Sequence, residues 1–123
     1  MQLSFNPPKK IYLAQSKIPN SGNGVFASEE IKKDEIIEVA PILILQFSDF
    51  VDTRWNLLFE YYFWMDKYVV LALGYASLYN HSKEPNCEYK INREEKSITF
   101  IALRKILKDE EILFNYKGSS TSK

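Results

Sequence analysis

The stretch "YNHSKEPNC", residues 79 to 87, gathers Tyr79, Asn80, the chain's one histidine, His81, and its one cysteine, Cys87. An imidazole near a thiol suggests nucleophilic chemistry, with His81 as the base that activates Cys87. No oxyanion-hole motif accompanies the pair, which weighs against a hydrolase. Metal ligation fails on number, because one cysteine and one histidine cannot supply the four ligands of a structural zinc site. The remaining plain reading is a turn in which Asn80, Ser82 and Asn86 bond local backbone while Pro85 fixes the chain. Upstream, "SGNGVFA" places Gly22 and Gly24 on either side of Asn23, which suits a tight hairpin or a backbone that a ligand approaches closely. It is not a dinucleotide fingerprint, since no third glycine and no helix follow. Downstream, "DEEILFNY" ends in Tyr116, whose phenol, with an ordinary pKa near 10, is a poor base at neutral pH. The eight tyrosines include Tyr61, Tyr62, Tyr68, Tyr75 and Tyr79, enough to wall a narrow channel for an aliphatic amine, although core and rim packing uses the same residues.

These groups must be positioned by short elements. "KIYLAQS" and "VFAS" have strand character on either side of the loop "KIPNSGNG", and "IIEVAPILIL" is a β-branched run in which Pro41 marks a bulge or a strand end. Trp55, Leu58, Phe59 and Tyr62 recur at helical spacing, so a helix is expected between Asp52 and Met65 with Asp52 or Thr53 as its cap. "WMDKYVVLAL" reads as a hairpin turning at Asp66-Lys67, and "CEYKINREEKSITFIAL" as two alternating runs joined by a charged turn. Many short strands with one short helix, and no strand–long helix–strand rhythm, give an all-β or β-rich α+β fold.

Composition bounds the rest. A chain of 123 residues with 46% apolar side chains can build one compact core. The expected organisation is an amino-terminal arm over residues 1–9, one domain over 10–116 and a flexible tail over 117–123. Sixteen basic and sixteen acidic side chains balance, with no positive stripe, so direct nucleic-acid binding is not expected. No apolar run approaches the roughly 18 residues that cross a bilayer, and no signal-peptide pattern opens the chain, so no membrane partner is expected and an intracellular protein is.

In this order, "GNGVFA", "NHSKEPNC" and "DEEILFNY" resemble the three signature segments of the SET domain, the fold of protein-lysine methyltransferases. The small size and single cysteine are similar to the compact stand-alone SET proteins of a large algal virus and of prokaryotes. The resemblance implies a β-clip-like fold of several short-stranded sheets with one short helix, in which the NHS segment and the carboxy-terminal strand form a knot-like crossing. It implies S-adenosylmethionine as cofactor, held by Gly22, Asn23, Gly24, Asn80 and His81, with Cys87 a mere neighbour and no metal. It gives Tyr116 the place of the family's catalytic tyrosine, and Tyr61, Tyr62, Tyr75 and Tyr79 are candidates for the substrate channel. The implied partner is a protein presenting a lysine, a histone tail among the candidates, in the cytoplasm if the source is prokaryotic and in the nucleus if it is eukaryotic or viral.

Two departures from the family pattern motivate a second hypothesis. Asn115 stands where an aspartate commonly precedes the tyrosine, and "KGSSTSK" offers no apolar residue to cover the cofactor. A SET-like interaction module without catalysis accommodates both. On the enzyme reading, a homodimer or the bound substrate covers that side.

Overall fold

The computed structural model describes residues 7–46, 63–65 and 67–115. The described residues form nine strands: β1 (Ile11–Gln15), β2 (Asn23–Ala27), β3 (Ile36–Gln46), β4 (Phe63–Met65), β5 (Tyr68–Ala72), β6 (Asn80–His81), β7 (Cys87–Asn92), β8 (Ser97–Ala102) and β9 (Leu113–Phe114). Among the described residues the helical content is one 3-10 turn, Ala76–Leu78. The strands make a β1–β2 hairpin, a five-stranded sheet in the order β4-β5-β3-β8-β7, and a small parallel pair of β6 and β9.

Alternation decides most of this. On β7, Cys87, Tyr89 and Ile91 face inward, and on β8 Ile98, Phe100 and Ala102 do the same. The charged turn between them is closed by the Asn92 side chain, which accepts from the Glu95 N–H at 3.0 Å, and by Lys96 in the left-handed region at φ 52°. An aromatic cluster fills the space between the sheets: the Phe63 ring lies 4.9 Å from Tyr89 and 5.7 Å from Phe114, and Tyr79 lies 4.3 Å from Phe100.

Two sequence expectations change in detail. The helix expected between Asp52 and Met65 gives way to strand over Phe63–Met65, where cross-strand pairing from Phe63↔Val70 to Met65↔Tyr68 outweighs helical spacing; residues 52–62 lie outside the described residues. The β4–β5 hairpin forms as expected, with Met65 paired to Tyr68; Asp66 lies outside the described residues. Pro41 is neither at a bulge nor at a strand end. It stands at mid-strand where β3 changes partner, the last pair with β8 being Pro41↔Ser97 and the first with β5 being Ile42↔Ala72, so the ladder tolerates its missing N–H. The bulge lies earlier, between Ile36 and Glu38, and there the inward and outward faces of β3 exchange. Ile37 and Glu38 are both buried, after which Ala40 and Ile42 point in and Val39 and Leu43 point out.

Candidate active site

The carboxy-terminal segment builds the site by touching two strands in turn. Residues 109–112 run along β2, with Asp109 N–H donating to Ala27 O, Ala27 N–H to Glu110 O and Ile112 N–H to Val25 O. The chain then continues as β9 beside β6, in the register Asn80↔Leu113 and His81↔Phe114. The glycine segment, the NHS segment and the acidic segment thus meet at one place, as the resemblance implied.

Glu111 is the centre of that meeting. It is only 6% exposed, and its carboxylate accepts from Ser16 Oγ at 2.8 Å, from the Lys17 N–H at 3.1 Å and from Asn80 Nδ2 at 3.0 Å. Asn80 spends its second amide hydrogen on Asn23 O at 3.1 Å, so one side chain ties β6 to both β2 and the acidic segment. Among the described residues no lysine or arginine side chain pairs with Glu111. Among the described residues this buried carboxylate is held by neutral donors, an arrangement that favours a cationic ligand.

The two glycines differ in purpose. Gly22 has φ +65° and open space where a Cβ would stand, so its requirement is conformational, in a loop closed by Ser16 N–H on Gly22 O at 2.8 Å. Gly24 has an ordinary φ, but a Cβ there would overlap Glu111 Oε2 and come within 3.0 Å of Asn80 Nδ2. The close approach foreseen at Gly24 is therefore made by the protein's own side chains. Asn23 and His81 are exposed beside them.

The remaining candidates separate. Tyr61, Tyr62 and Tyr116 lie outside the described residues. Tyr79, expected on a channel wall, is a core residue: it is 5% exposed, and its hydroxyl donates to Glu38 Oε1 at 2.8 Å. Neighbours in extended backbone point to opposite sides, so with Asn80 turned to Glu111 the Tyr79 ring enters the core. Burial, reinforced by the Glu38 carboxylate, holds its phenol well above the ordinary value. Tyr75 is half-buried at the start of the same turn and its N–H donates to Glu38 Oε2 at 2.9 Å. Glu38 and Glu111 were not singled out from the sequence, because a glutamate among strand residues reads as solvated.

Cys87 is 1% exposed, with Sγ donating to Leu113 O at 3.4 Å, whereas His81 is exposed. Burial pushes the thiol far above its ordinary value and the Glu88 carboxylate adds to this, so Cys87 is inert as a nucleophile. Cys87→Ser is expected to cost about 1–2 kcal/mol in a urea melt, from placing a hydroxyl in the core, and to leave any ligand affinity of the site unchanged. Lost ligand binding in a folded Cys87→Ser sample would restore the thiol as a functional candidate.

Comparison with known proteins agrees with this architecture. The family described as the SET domain matches residues 22–117. A Schizosaccharomyces pombe relative, the H3 lysine-37 specific histone-lysine N-methyltransferase, is 34% identical over 97 residues, 77% of this chain and 66% of the relative. An H3 lysine-4 specific histone-lysine N-methyltransferase of Neurospora crassa is 34% identical over 130 residues, 94% of this chain but 10% of the relative, so the chain spans less than two thirds of either protein. Among solved structures, a candidate histone methyltransferase of Plasmodium falciparum superposes with a TM-score of 0.68 at 38% identity, covering 90% of this chain and 99% of that one. The ctPRC2 assembly, in an autoinhibited conformation bound to S-adenosylmethionine, gives a TM-score of 0.74 at 24% identity over 89% of this chain and 15% of its own, a likeness of fold. With most of its length matched by the family and its three signature segments joined at Glu111 and Asn80, the chain belongs to the SET domain family.

Proposed function

We propose that the chain is an S-adenosylmethionine-dependent protein-lysine methyltransferase whose substrate is a histone tail. The observation that carries the proposal is the Asn80 amide, which bridges Asn23 O and Glu111 Oε2 and so joins three ordered motifs into one site. The names of the relatives, histone-lysine N-methyltransferases of several fungi, support the substrate class and a nuclear place of action.

The residues suit such a cofactor. The loop from Ser16 to Gly22 supplies backbone groups, Asn23 and His81 stand exposed beside it, and the carboxylate of Glu111, held by neutral donors among the described residues, favours a positive ligand. When bound, the cofactor supplies a methyl group on a sulfonium. A substrate lysine, with an ordinary pKa near 10.4, has to arrive as the neutral amine, and an apolar, water-poor channel favours that form. The protein's work is then positioning: Glu111 fixes Asn80, Asn80 fixes the β2 loop, and Tyr116, just beyond β9, orients the transfer site. Tyr61, Tyr62 and Tyr75 remain the proposed channel walls. A second copy of the chain also belongs to this proposal, supported by Val39 and Leu43, which are 36% and 50% exposed on one face of β3.

Calorimetric titration of S-adenosylmethionine into wild type and Asn80→Ala tests the cofactor without knowledge of the substrate. Saturable binding that weakens in Asn80→Ala is the expected result, and no binding to folded wild type overturns the proposal. Methyl transfer to histone tails that disappears in Tyr116→Phe is expected next. Cofactor binding with no transfer to any histone or basic peptide would favour the interaction module.

A further inference from the structure

Glu38 is a buried carboxylate that the methyl-transfer proposal does not use. It is 3% exposed near the centre of the five-stranded sheet, and the β3 bulge between Ile36 and Glu38 is what turns it inward. The whole segment that leads to the NHS strand wraps around it. Gly74, at φ +68°, leaves no room for a Cβ beside Glu38 Oε2, the Tyr75 N–H donates to Oε2 at 2.9 Å, and the Tyr79 hydroxyl donates to Oε1 at 2.8 Å. Between those two donors lies the 3-10 turn Ala76–Leu78, itself closed by Leu78 N–H on Tyr75 O at 2.8 Å. The next residue is Asn80.

We infer that Glu38 is a positioning residue for the cofactor site: by gripping Tyr75 and Tyr79 it sets where Asn80 and His81 stand. Two buried glutamates thus bracket one short segment, each with a glycine against it. Glu38 with Gly74 holds residues 74–79 from the sheet side, and Glu111 with Gly24 holds Asn80 from the β2 side. The 3-10 turn is too short to fix itself, and β6 is two residues long, so neither has internal stability to place Asn80 without these anchors. Burial pushes the Glu38 carboxyl above its ordinary value, while the Tyr79 hydroxyl and Tyr75 N–H pull it back. In Glu38→Gln the amide oxygen can accept from Tyr75 while the amide nitrogen donates to the Tyr79 oxygen.

The inference concerns the cofactor only through the reading given under Proposed function, and the test separates the two. His81 is the chain's one histidine, so its imidazole signals in an NMR spectrum of the ligand-free protein report the β6 position directly. Glu38→Ala is expected to move the His81 ring and Asn80 side-chain signals while the β1 signals stay, and Glu38→Gln is expected to restore them. Tyr79→Phe, which removes one bond and keeps the ring, serves if Glu38→Ala does not fold. Titration of S-adenosylmethionine should then show affinity weakened about tenfold in Glu38→Ala, near wild type in Glu38→Gln, and no further loss when Glu38→Ala is added to Asn80→Ala. A role in bulk stability alone would leave the two effects additive. Unmoved Asn80 and His81 signals in Glu38→Ala or Tyr79→Phe overturn the inference whatever the cofactor does. Moved signals in a wild-type background that binds no cofactor overturn the methyltransferase reading and retain Glu38 as the residue that positions β6.

Discussion

Gly24→Ala is expected to lose cofactor affinity by more than tenfold and to melt several degrees below wild type. The backbone is not the reason, since Gly24 has an ordinary φ and pairs with Ala14 in the hairpin. The added methyl would occupy the place of Glu111 Oε2 and press on Asn80 Nδ2. A glutamate end usually swings aside cheaply, but this one is buried and held by Ser16 Oγ, the Lys17 N–H and Asn80 Nδ2. Moving it breaks charge-assisted hydrogen bonds worth about 1.5–3 kcal/mol each, or else strains the packing by about 1–3 kcal/mol. Either way Asn80 loses the partner that fixes it, so stability and affinity fall together. Gly22→Ala is the control: with open space at its Cβ it suffers only the left-handed φ, about 1–2 kcal/mol, and Gly22→Asn recovers part of that. Paired thermal melts and calorimetric titrations of the three variants decide the matter. Wild-type melting and affinity in Gly24→Ala would show that Glu111 is free to move and that the site is not organised around it.

The contrast between the two glycines shows what a sequence can and cannot carry. Both could be recognised as a constrained loop, and only the placement of Glu111, 87 residues further on, tells which is constrained by φ and which by contact. The alternation of β7 and β8 was plain because every second residue of each run, Cys87, Tyr89 and Ile91 and then Ile98, Phe100 and Ala102, is buried, and a charged turn separates the runs. On β3 the same logic misleads, because one extra residue at the bulge reverses the faces and carries Glu38 into the core. Glu110 and Glu111 are adjacent and chemically identical. The first pairs with Arg104 near the surface, where the guanidinium holds its carboxyl below the ordinary value, and the second turns inward to Ser16 and Asn80. Nothing local separates them; the difference comes from which face of the segment lies against β2. The order of the three motifs, by contrast, was legible without any structure, and it named three segments that the fold brings into contact.

The parallel pairing of β6 with β9 is the joint on which that site depends, and Asn86 holds it. This side chain is 2% exposed, donates from Nδ2 to Glu111 O at 2.8 Å and accepts from the Leu113 N–H at 2.8 Å on Oδ1. Its own backbone adds N–H to Leu113 O at 3.0 Å and accepts from the Leu103 N–H at 2.9 Å, so four bonds to backbone groups tie one residue to Glu111, to β9 and to the residue after β8. A two-residue strand has few ladder bonds of its own, which makes the amide's contribution large. Asn86→Ala removes the two amide bonds to the backbone and leaves the Leu113 N–H and the Glu111 carbonyl buried without that partner, at about 1–3 kcal/mol each. The expected loss is about 2–5 kcal/mol in chemical denaturation, and a melting point roughly 10–20 °C lower, with cofactor binding abolished because Asn80 loses its register against Leu113. Asn86→Asp sharpens the test. It keeps the acceptor for Leu113 but sets a carboxylate against the Glu111 carbonyl and close to the Glu110 carboxylate, which the Asn86 amide approaches at 3.4 Å. Burial and these neighbours raise the pKa of the introduced acid in the folded state, so its protonated form is favoured there, and the deficit relative to wild type should shrink as pH falls. Stability of Asn86→Ala within about 0.5 kcal/mol of wild type would mean that the crossing is held by the strands themselves.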